Sequence, residues 1–100
     1  MTRRQDLYYK DASIGYLSGR KTGILIWVLD GPIGIPILES IFRYMRVLLK
    51  DGKLWCQGIV IGYISQREDG VLVWVRKGLI GLQMIKDALA SKKIYVREVK

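Results

Sequence analysis

The chain has 100 residues, half of them apolar, and 17 Lys and Arg against nine Asp and Glu give it a formal net charge of +8. That apolar share excludes intrinsic disorder and suits one self-sufficient domain. His and Asn are absent and Cys56 is the only cysteine, which removes Ser-His-Asp and Cys-His catalysis, histidine metal sites, zinc ribbons and intrachain disulfides. No catalytic residue, metal site or cofactor is predicted.

Residues 1–12 are polar and charged and read as a loose arm or an edge segment. They lack the apolar core of a secretory signal. Ile14 to Leu17 is a short strand or flap before the basic turn Ser18-Gly19-Arg20-Lys21-Thr22-Gly23. Ile24 to Leu29 is a continuous apolar run between glycines, the pattern of a central strand. Pro36 stands at a helix start, and an amphipathic pattern continues to Lys50. Glu39, Arg43, Arg46 and Lys50 form one stripe, and Gly52 closes the helix. Leu54 to Ser65 and Val71 to Lys77 flank Asp69-Gly70, a hairpin signal. Leu79 to Ala90 reads as a second helix and Ile94 to Val99 as a last strand. No internal repeat is expected.

Without the N-terminal segment, the order is strand, helix, strand, strand, helix, strand. This predicts one α+β domain over residues 1–100, ferredoxin-like in its split βαβ order. Four to five antiparallel strands would carry both helices on one face. If Val71, Val73 and Val75 face the helices, Val73 opposes Ile64 and Trp74 opposes Tyr63. The helix-free face then gathers Trp27, Trp55, Ile59, Ile61, Tyr63, Trp74 and Tyr95, with Leu25, Leu72, Arg76 and Arg97 beside them. So apolar a face needs a cover: a second copy, the N-terminal segment, or stacked nucleobases.

Gly23 to Leu38 is the most membrane-like stretch, but it is interrupted by Asp30, Pro32 and Pro36 and is too short to span a bilayer. Gly15 to Thr22 has the wrong spacing for a phosphate-binding P-loop. Asp69-Gly70-Val71-Leu72-Val73-Trp74-Val75-Arg76 is similar to the third strand of the RNA-recognition motif in layout only, because valines replace its stacking aromatics. Asp30 resembles the aspartate that ends the first strand in the small core subunit of the CRISPR integration complex, but its position before Gly31-Pro32 reads as a turn. Acylphosphatases need an Asn, and rolling-circle nucleases need paired His.

The absence of Asn, four Gln, abundant Ile, Tyr and Val, and compact turns suit a hot habitat. In this style the chain resembles the small basic proteins of crenarchaeal viruses. The resemblance implies an intracellular role in the host cytoplasm, with nucleic acid or a host protein as partner.

The resulting expectation is a non-enzymatic, homodimeric protein that binds DNA or RNA through phosphates with little sequence readout. Arg20, Lys21, Arg43, Arg46, Lys50, Arg76 and Arg97 are its candidate contacts. The alternative is a protein-interaction or structural module, such as an inhibitor of a host complex or a virion component.

Overall fold

The computed structural model describes residues 3–29 and 35–98, so Asp30 lies outside the described residues. Strands β1 (Arg3–Tyr9), β2 (Ala12–Gly19) and β3 (Gly23–Leu29) lead into helix α1 (Ile35–Tyr44). Strands β4 (Leu48–Lys50), β5 (Lys53–Cys56), β6 (Ile59–Arg67) and β7 (Gly70–Arg76) follow, then helix α2 (Leu82–Ala90) and strand β8 (Tyr95–Glu98). All eight strands form one antiparallel sheet of order β4-β5-β6-β7-β3-β2-β1-β8. This overturns the four-to-five-stranded, ferredoxin-like expectation.

Three tight turns make the difference. Lys10 and Asp11 have φ of 50° and 66°, Asp51 and Gly52 of 55° and 73°, and Gln57 and Gly58 of 53° and 78°. Two successive positive φ values match the twist of a two-residue hairpin. The first turn makes the expected loose arm or edge segment into β1, which sits inside the sheet between β2 and β8. The second takes Leu48 to Lys50 from the expected helix and makes them β4. The third splits the expected Leu54–Ser65 strand into β5 and β6. Only two of the three turns contain glycine, and Lys10-Asp11 gives little turn signal by itself.

Helix α1 stops early because Arg46 takes φ of 60°. The N–H of Val47 donates to Phe42 O at 2.8 Å and that of Arg46 to Arg43 O at 3.0 Å, which is a Schellman closure. After α2 the same closure recurs. Lys93 has φ of 62°, Ile94 N–H donates to Leu89 O at 3.0 Å, and Lys93 N–H donates to Ala90 O at 2.9 Å.

That recurrence reflects an internal duplication, contrary to the unrepeated reading of the sequence. At a constant offset of 47, twelve of the 21 residues from 14 to 34 recur unchanged from 61 to 81. Ile14-Gly15-Tyr16-Leu17-Ser18 returns as Ile61-Gly62-Tyr63-Ile64-Ser65, and Gly23-Ile24-Leu25-Ile26-Trp27-Val28 as Gly70-Val71-Leu72-Val73-Trp74-Val75. The pairing obeys the same offset. Leu7 opposes Gly15 as Leu54 opposes Gly62, and Tyr16 opposes Trp27 as Tyr63 opposes Trp74. Between the repeats, β3 and β7 cross at Ile26 and Val73, so a pseudo-twofold axis passes through that pair. Each repeat gives its last strand away: β4 pairs with β5 of the second repeat, and β8 with β1 of the first.

The core lies between the sheet and the helices. Ile24, Ile26, Val28, Val71, Val73 and Val75 are buried there with Leu38, Phe42, Ile85 and Leu89. Each fully buried side chain of this size contributes about 1.5–3 kcal/mol. Bulges at Leu7/Tyr8 and Leu54/Trp55 leave Ile14 and Ile61 without a cross-strand partner, and both are buried in the core. The bulge resets the alternation. Ile61 therefore leaves the helix-free face to which the sequence assigned it. Ile59 leaves too, since it opposes the buried Cys56.

Candidate nucleic-acid interface on the helix-free face

Residues directly opposed across an antiparallel pair share a face, and alternate residues along a strand do the same. One line across the open face runs Lys50, Lys53, Tyr63, Trp74, Leu25, Ser18, Arg4. Its partner by the pseudo-twofold runs Arg97, Asp6, Tyr16, Trp27, Leu72, Ser65. Alternation along β7 and β6 adds Arg76 and Arg67 to this face, and alternation along β5 adds Trp55, which opposes Leu48. Tyr8 opposes Tyr95 at the other end. Among the described residues, six cations thus share the strand positions of this face with one carboxylate, Asp6.

Several of these side chains are held in place. The Arg4 guanidinium lies 4.6 Å from the centre of the Tyr16 ring, and that of Arg97 lies 4.7 Å from the centre of the Tyr8 ring. Such stacking fixes the long side chains without consuming their charge. Arg4 Nε also stands 3.5 Å from Asp6 Oδ1, at ion-pair distance. Arg76 Nη1 donates to Val60 O at 3.5 Å.

The central tryptophans lean along their strands. A Cβ on Gly23 would meet Trp74 Cζ2 at 2.7 Å, and one on Gly70 would meet Trp27 Cζ2 at 2.7 Å. Each indole therefore covers the glycine that opens the central strand of the other repeat, and both glycines are buried beneath it. This is the aromatic cover that compensates a glycine in a sheet. The two indoles are partly buried, while Tyr63 and Tyr95 are 47% and 58% exposed.

The sequence-selected cations separate in the structure. Lys50, Arg76 and Arg97 lie on the open face. Arg20 and Lys21 are exposed in the β2–β3 turn, where Arg20 Nε donates to Ser18 Oγ at 3.1 Å. Arg43 and Arg46 are exposed at the end of α1, and the expected stripe is broken because Lys50 belongs to a strand. Of the expected aromatic set, Trp27, Trp55, Tyr63, Trp74 and Tyr95 share the face. Sequence reasoning missed Arg4, Tyr8, Tyr16, Lys53 and Arg67. Tyr16 was findable from the pentapeptide it shares with Tyr63.

A cleft of about 510 Å³ opens where β1 meets β8, lined by Tyr8, Tyr9, Lys10, Asp11, Lys93, Tyr95 and Arg97. It extends the basic and aromatic surface around the sheet edge. Among the described residues, no three His, Cys, Asp or Glu side chains converge on a metal-ion site. None of their helices is long and apolar enough to cross a membrane. No protein-family model, curated protein or solved structure matches the chain.

Proposed function

We propose that this protein is a non-enzymatic nucleic-acid-binding module that holds phosphates by charge and reads little sequence. The observation that carries this reading is the helix-free face, where six cations and one carboxylate are interleaved with Trp and Tyr rings. Phosphate contacts position a bound strand and carry no base information, and aromatic rings accept any base. Like charge disfavours closing two copies of this face on each other.

A salt titration tests the reading. Affinity for unrelated oligonucleotides of one length should be similar and should fall steeply between about 50 and 200 mM salt. Absence of binding to single-stranded and duplex oligonucleotides at the lower salt would falsify it. The second reading is a protein-interaction module, favoured by Leu29 and Leu48, 43% and 60% exposed on the same face. Its signature is a dimeric mass, or a protein complex, that salt barely weakens.

A further inference from the structure

The duplication places Tyr63 and Trp74 beside Trp27 and Tyr16 across the dyad. The stripe then runs outward to Lys50 in one direction and to Arg97 in the other. At about 4.8 Å between neighbouring strands, eight strands give it a length of at most about 34 Å. That length accommodates on the order of five to ten nucleotides, as in other small single-strand sites.

A nucleic-acid strand has a direction, and the aromatic centre and end cations of this stripe have almost none. Turned by the pseudo-twofold, Trp27 falls on Trp74, Tyr16 on Tyr63, and Arg97 on Lys50. The departures are in charge and at the rim: Asp6 stands where the other half has Lys53, with Arg4 supplying the neighbouring cation, Leu29 stands where it has Arg76, and Leu48 where it has Tyr95. We propose that the stripe binds one single strand of nucleic acid across both repeats, in either 5′-to-3′ direction. This rests on the nucleic-acid reading above. Single-stranded bases have free faces for indole and phenol rings, whereas duplex bases are already stacked on one another. The excess of cations over Asp6 supplies the complementarity to phosphate.

The test uses the full chain with a 12-residue oligothymidylate and a 12-base-pair duplex. Trp27→Ala and Trp74→Ala should each weaken oligothymidylate binding by about 5- to 100-fold, by factors matching within about threefold, and should leave duplex binding unchanged. Because each indole covers a glycine, Lys50→Ala and Arg97→Ala serve as variants that leave both glycine covers in place. Each should lower the slope of log affinity against log salt by about 0.7. A photoreactive 5-iodouracil at the 5′ end should cross-link to both repeats. Cross-links confined to one repeat, or a loss from only one of the paired variants, overturn the two-direction site while nucleic-acid binding stands. Tighter duplex binding that ignores both tryptophans overturns the single-strand stripe. No binding of either oligonucleotide overturns the functional reading itself.

Discussion

The first repeat, β1 to β4, and the second, β5 to β8, are two solutions to one folding problem, and they differ in kind between inside and outside. Positions buried in both repeats keep glycine or an apolar residue, and often a different one: Leu7 with Leu54, Gly15 with Gly62 and Val28 with Val75 agree, whereas Ile26 meets Val73 and Phe42 meets Leu89. Exposed positions have separated: Lys21 against Glu68, Leu29 against Arg76, Arg43 against Ala90, Tyr44 against Ser91. A filled interior demands apolar side chains that pack together, while solvent tolerates most substitutions. What stayed paired on the open face despite exposure is therefore informative. Tyr16 with Tyr63 and Lys50 with Arg97 keep their chemistry where packing does not demand it.

The hardest blow to this equivalence should come from the glycines at the bulges. A Cβ at Gly15 would collide with Trp27 O, and one at Gly62 with Trp74 O. Gly15→Ala and Gly62→Ala should each cost more than about 4 kcal/mol, enough to unfold most of a domain this size. Urea melts that find either variant close to wild type would break the equivalence.

Next come Leu7→Ala and Leu54→Ala, both at residues with 0% exposure. Each should cost about 2–5 kcal/mol by denaturant melting. A negligible cost at Leu7 alone would return residues 1–12 to the status of an arm.

A comparison of the two sides of the molecule is smaller in energy but sharper for function. The pair Lys50→Glu and Arg97→Glu should weaken oligonucleotide binding by more than about tenfold, or 1.4 kcal/mol. The pair Arg43→Glu and Arg46→Glu, on the helical side, should change it less than threefold. The reverse ranking in a fluorescence titration would move the interface to the helices.

The smallest effect is a gain. Arg46 and Lys93 occupy the left-handed region where glycine is at ease. Arg46→Gly and Lys93→Gly should each stabilise the fold by about 0.5–1 kcal/mol, raising the melting temperature by a few degrees. Unequal shifts would mean that the two helix closures carry different strain.

The sequence by itself determined the central strands, the second helix and the last strand. Runs such as Ile24 to Leu29 and Val71 to Val75 have no good alternative to burial in a sheet. The Trp74–Tyr63 pairing expected from a tight turn at Glu68-Asp69, with Val71, Val73 and Val75 toward the helices, is the one observed. The 47-residue repeat was equally present in the residues and escaped a reading organised by local pattern.

Only the tertiary structure decided the rest. Leu48 to Lys50 continue a helical pattern, and an edge strand competes only because β5 offers free backbone groups for pairing. Arg3 to Tyr9 have little apolar content to announce a strand, and their order depends on β2 and β8 on either side. Ile61 changed faces through a bulge that alternation cannot foresee. Local sequence fixes what a segment prefers, whereas strand exchange and bulges are chosen by the free energy of pairing segments distant along the chain. The open basic face exists only after that choice is made.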